Sequence, residues 1–123
     1  MMIKLRQLLH PVLRDATDNK AYFRKNPTTP NYPYVVYSFG TVMDDGEYEA
    51  IVPLDVDGWS DNPVTLPLET LMETVNNVLD KKAIVDTGIG LAIYLDNILY
   101  LEDEDPALDR RRYTYLIRVT KGE

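Results

Sequence analysis

The chain has 123 residues, a formal net charge of −7, one histidine and no cysteine. That length supports a single compact domain over residues 1–123, and the missing thiols exclude disulfides, thiolate catalysis and cysteine-ligated zinc. The acidic balance argues against a surface built to grip nucleic acid, because phosphate binding needs an excess of Lys and Arg.

No apolar run approaches the ~20 residues of a membrane helix. The stretch from Met1 to Asp15 is too polar and interrupted for a signal peptide. The expectation is a cytoplasmic chain with no targeting segment and no membrane contact.

Ile3, Leu5, Leu8, Leu9, Val12 and Leu13 recur near a helical period. Pro11 falls inside that pattern and lacks an N–H, which predicts a kink or restart there. The following stretch to Pro33 is rich in proline and reads as loop, with a short extended piece at Ala21 to Arg24. Tyr34 to Phe39 is β-branched and aromatic, hence a strand. Asp44-Asp45-Gly46 is a turn signal. From Tyr48 to Val56 apolar and acidic residues alternate, as in a half-buried antiparallel strand. Pro53 within it requires an N–H position that faces no neighbour, or a bulge. Gly58 to Pro63 reads as a loop carrying the single Trp, Trp59.

Leu68, Leu71, Met72, Val75, Val78 and Leu79 then recur at three- and four-residue steps, predicting an amphipathic helix from Leu66 to Lys81. Pro67 suits its first turn and Glu69 its positive end. Leu91 to Leu95 and Ile98 to Leu101 read as two short strands about Asp96-Asn97, although a helical period also fits. Arg111 to Thr120 is a final strand, with Arg111, Tyr113, Tyr115, Ile117 and Val119 on one face. Helix, strands, helix, strands predicts an α+β fold: an antiparallel β-sheet with two main α-helices packed on it.

Charge is segregated along the chain. Residues 1–26 sum to +4, whereas Pro27 to Asp80 contains ten acids and no Lys or Arg. Either the segments mix in space, or a protomer carries one positive and one negative side. The second arrangement favours head-to-tail contact between copies, which closes into rings.

Catalytic and ligand-binding patterns are sparse. His10 precedes Pro11 with no nucleophile pattern beside it and reads as structural or solvent-exposed. Glu102-Asp103-Glu104-Asp105 could attract a hard cation, but four consecutive acids do not converge on one centre unless the backbone wraps it. Asp55-Val56-Asp57-Gly58 lacks the later Glu of a calcium loop, and Gly88-Ile89-Gly90 is not followed by Lys. No cofactor and no metal are expected, and the chain reads as an assembly component rather than an enzyme. Arg110, Arg112 and Arg118 share a strand face. Arg112 and Arg118 can pair across the sheet with Asp55 or Asp57, or clamp a neighbouring subunit through bidentate forks. Tyr32, Tyr34 and Trp59 border loops and suit an interface, where a ring is buried while its polar tip finds a partner.

Taken in order, these features resemble the tail completion (tail terminator, head-tail joining) proteins of long-tailed bacteriophages and prophages. The residues that carry the resemblance are the N-terminal helix, Pro30-Asn31-Tyr32-Pro33-Tyr34-Val35-Val36-Tyr37, the turn at Asp44-Asp45-Gly46, and the strand ending Val56-Asp57-Gly58-Trp59. The amphipathic helix from Leu66 to Lys81 follows, and then Asp103-Glu104-Asp105-Pro106 leading into Arg110-Arg111-Arg112-Tyr113. Pro11 departs from the pattern.

The resemblance implies a ring, usually a hexamer, that caps the head-proximal end of the tail tube. Such a ring stops polymerisation of the major tail tube protein and docks to head-closure or neck proteins. DNA passes through its lumen without specific binding. Assembly in the bacterial cytoplasm and residence in the virion tail are implied as well. Asp44, Asp45, Gly46 and Glu47 would form a loop projecting toward the lumen or the tube. A neck or head-closure component, and a small acidic metal- or ligand-binding module, are the alternative readings.

Overall fold

A computed structural model of the chain describes residues 2–29, 31–44, 46, 49–61, 66–101 and 108–121. Two helices, α1 (Met2–Ala16) and α2 (Leu66–Leu79), accompany seven strands. The strands are β1 (Ala21–Phe23), β2 (Tyr34–Phe39), β3 (Met43–Asp44), β4 (Glu49–Ser60), β5 (Lys82–Asp86), β6 (Ile89–Leu101) and β7 (Asp109–Lys121). They form one sheet in the order β1-β2-β4-β7-β6-β5, with β3 also paired to β4.

This corrects the expected α+β arrangement of two helices packed on an antiparallel sheet. Strands make up 51% of the structure, and the sheet curls into a half-barrel that dominates the two helices. Nor is the sheet purely antiparallel, since β1 runs parallel to β2. Three local errors account for the difference. The strand through Pro53 runs on to Ser60, so Gly58 and Trp59 are strand, not loop. Lys82–Asp86 is an additional strand. The two pieces about Asp96 are one 13-residue strand, β6. Its register shifts between Leu95 and Asn97, a bulge that returns Ile98 to the face of Leu95. The extra residue spaces the apolar positions unevenly, which explains why a helical period also fitted.

α1 continues through Pro11. Pro11 is exposed and lies opposite the buried stripe of Leu5, Leu9 and Leu13. Gln7, whose carbonyl loses its helical donor, is exposed too, so water can satisfy it. Pro53 stands opposite Leu116 of β7, and on its other side the ladder is interrupted between Leu54, the last partner of β2, and Ile51, the first of β3. Its carbonyl accepts from the Gly40 N–H at 2.9 Å, which directs its nitrogen to the break between β2 and β3.

One core gathers the helical stripes and the facing side of the sheet. Leu5, Leu9 and Leu13 of α1 and Leu68, Met72, Val75 and Leu79 of α2 join Val35, Tyr37, Val52, Leu54, Val56, Ile93, Tyr115 and Ile117. Gly58 belongs to the same face. A Cβ there would lie 2.6 Å from Met72 Sδ and 2.8 Å from Leu68 Cδ1. Gly58→Ala should therefore destabilise the chain by about 1–3 kcal/mol through overpacking, measured by urea unfolding.

Tyr115 is fully buried and its hydroxyl donates to Asn76 Oδ1 at 2.9 Å, tying β7 to α2. Burial pushes its phenol pKa well above the ordinary value, and the neighbouring Tyr113 and Asp80 add to the rise. A raised pKa means that the neutral phenol stabilises the fold. That contribution is whole below the unfolded value of ~10 and is lost as pH rises beyond it. Tyr115→Phe should cost about 1 kcal/mol at neutral pH and flatten the loss of stability above about pH 10, as measured by chemical denaturation across that range.

Candidate functional site

The polar half of each alternating strand lies on the second face of the sheet, away from the main core. Asp57 of β4 stands opposite Arg112 of β7 in the ladder, with Trp59 opposite Arg110. Asp57 is only 7% exposed. Arg112 donates through Nε to Asp57 Oδ1 at 2.7 Å and through Nη2 to Oδ2 at 3.0 Å. Arg110 Nη2 donates to the same Oδ2 at 2.8 Å. The carboxylate thus holds two guanidiniums, and Asp57 raises the pKa of Arg112 beyond its already high value, chiefly by hydrogen bonding.

Arg110 lies 4.6 Å over the Trp59 ring, and Trp59 stacks on Tyr34 with centroids 5.6 Å apart. Tyr32 packs on Tyr34, which also accepts from Asn26 Nδ2 at 2.7 Å. Tyr34, Val36 and Trp59 are a buried apolar cluster of their own, separate from the main core. The structure therefore brings Arg110, Arg112, Asp57, Trp59, Tyr34 and Tyr32 together on one surface.

Asp55 and Arg118 sit further along the same face but pair separately. Asp55 Oδ1 accepts from the Thr114 hydroxyl at 2.8 Å. Arg118 Nε lies 3.3 Å from Glu49 in an exposed pair. Asp44 ends β3; its Oδ1 accepts from the Gly46 N–H at 2.8 Å and pairs with Lys121 at 2.7 Å. Those contacts hold its carboxyl below the usual carboxylate range, the Lys121 hydrogen bond most of all. Asp45 and Glu47, and the acidic run Glu102–Asp105, lie outside the described residues.

His10 Nδ1 stands 2.7 Å from the Tyr37 hydroxyl, a bond joining α1 to β2. Among the described residues no three His, Asp or Glu side chains converge to hold a metal ion. None of the described helices is long and apolar enough to cross a membrane.

Two features escaped the sequence. Arg111, on the core face, is 5% exposed and bonds Glu69 of α2 at 3.0 Å while lying 4.9 Å over Tyr100. Its burial breaks the rule that an arginine run is solvated, and only the alternation of the final strand signals it. The second feature is an open edge. β5 pairs with β6 only from Ile89 to Ile93, and Asp80 Oδ1 caps the Leu95 N–H at 2.9 Å. Among the described residues no strand covers the outer edge of β6 beyond that point. There Ile98 is 41%, Leu99 47% and Tyr100 74% exposed. An uncovered apolar edge is a template for pairing with another chain.

A chain from the virion of a native gene transfer agent (GTA) particle has this architecture, with a TM-score of 0.69. The present chain shares its fold. The match covers 89% of this chain and 84% of that one, at 17% sequence identity. No family model and no curated protein matches the sequence.

Proposed function

We propose that this chain is a phage-type virion structural protein that assembles with copies of itself into a ring, as a tail terminator. The observation that carries this reading is the open edge of β6, with Ile98, Leu99 and Tyr100 exposed beside an ordered polar face. Monomeric proteins blunt such edges with charge, proline or a covering element, and residues 96–101 contain a single acid, Asp96, and no proline. The fold shared with a GTA virion chain supports the same reading.

In this account the face bearing Arg110, Arg112, Arg118, Asp55, Asp57, Tyr32, Tyr34 and Trp59 meets neighbouring subunits or virion proteins. The turn at Asp44 to Glu47 projects toward the lumen or the tail tube. The ring, a hexamer, ends growth of the tube protein and receives the head-closure protein, and DNA slides through an acidic lumen that does not hold phosphates. Assembly takes place in the bacterial cytoplasm. Sedimentation velocity, run across a concentration series with and without the tube protein, tests self-assembly. A discrete closed oligomer is expected, and a monomer under every condition would overturn the reading.

A further inference from the structure

A cleft of about 790 Å3 opens where the first turns of α1 meet the β1–β2 edge and the Asp57 cluster. Arg6, Arg24 and Arg110 line it, together with the rings of Phe23, Phe39 and Trp59. Arg6 lies 4.9 Å over Phe23, and Arg110 lies 4.6 Å over Trp59. Arg110 Nε is buried and has no hydrogen-bond partner among the described residues. Among the described residues Arg6 and Arg24 have no acidic partner. Three guanidiniums therefore face one carboxylate, Asp57, in a chain whose net charge is −7.

Such a cleft suits carboxylates. Guanidinium forks bind them bidentately, and aromatic walls hold the forks in place and exclude water. A DNA duplex suits it poorly: a rod whose own major groove is about 12 Å wide presents phosphates on a convex surface. A concave site of this volume takes a short peptide segment.

We propose that this cleft receives the acidic run Glu102-Asp103-Glu104-Asp105 of a second copy of the chain. That run is the densest block of carboxylates in the sequence. It connects β6 to β7 just beyond the last ladder pair, Leu101 with Arg110. In the sequence of its own chain the run is separated from Arg110 only by Pro106 to Asp109. Arg24 follows β1, three strand steps away across β4 and β2, about 14 Å. A second copy can lay the run along the whole cleft, joining two different surfaces in a head-to-tail contact.

The assignment rests on the self-assembly reading above and is tested apart from it. Trp59 is the only Trp and lines the cleft, so its fluorescence reports occupancy. The full chain is titrated with a synthetic peptide of residues 98–108. A saturable change in Trp59 emission is expected, weakened by salt. Affinity should fall roughly tenfold or more with Arg6→Gln/Arg24→Gln, or with a peptide whose four acids are replaced by amides. No saturation overturns the proposal, as does affinity indifferent to those changes, or equal saturation by a single-stranded oligonucleotide. If the titration fails while the parent still assembles, the cleft assignment falls alone. If the peptide binds but no oligomer ever forms, the assembly reading falls instead.

Discussion

Asp57→Ala should lower the stability of the chain by about 2–3 kcal/mol. Breaking a fully buried ion pair by removing one partner costs roughly 3–5 kcal/mol, because a charge is left desolvated. The expected loss is smaller for Asp57 since the side chains of Arg110 and Arg112 keep 26% and 33% exposure. For a domain near this size the loss corresponds to a fall in Tm of about 8–20 °C. The same substitution strips Arg110 of its acceptor, so its packing on Trp59 loosens and Trp59 fluorescence shifts. Asp57→Ala/Arg112→Ala loses less than the sum of the two single changes, because it leaves one unpaired guanidinium rather than two. Thermal and urea unfolding of the four chains, parent included, measure this cycle.

With β6 as the proposed contact between copies, Ile98→Lys/Leu99→Lys should abolish self-association while leaving the fold in place. Both side chains are largely exposed and project to opposite faces of the β6 edge, so the protomer loses about 1 kcal/mol or less. Lysine on an edge strand opposes pairing by charge and by the cost of dehydrating it. Under conditions where the parent sediments as the proposed ring, the variant should sediment as a monomer with unchanged circular dichroism. Rings of parental size would place the contact elsewhere on the protomer.

Much of the sheet was legible in the residues. Tyr34 to Phe39 has the predicted bounds, the two faces of the final strand follow the predicted alternation, and α2 begins at Leu66. Alternation succeeded because one face of each strand meets a continuous apolar core, so burial writes a two-residue period into the sequence. It failed where the period is interrupted. Asp96 adds a residue to β6 and breaks its phase. Gly58 looks like a loop residue, yet it is glycine because Met72 and Leu68 occupy the space of a side chain. Lys82–Asp86 is a sheet-edge strand whose outward residues, Ala83 and Val85, are exposed and show no buried face. The expected helix-on-sheet architecture failed for these reasons together, since each omission understated the strand content.

The pairing of Asp57 with Arg112 was readable as one of two options, from shared faces alone. Arg110 as a second donor was not, because its guanidinium reaches back over Trp59 from the neighbouring ladder position. Nor could Arg111 be read as a buried anchor for α2, since its partner Glu69 is 42 residues away in the chain.

We propose that this chain ends a phage-type tail and joins it to the head. Electron microscopy of particles assembled in cells lacking the protein tests it most directly. Overlong tails of variable length with no head attached are expected, with both length and attachment restored when the parent chain is supplied. Tails of normal, uniform length joined to heads in its absence would contradict it.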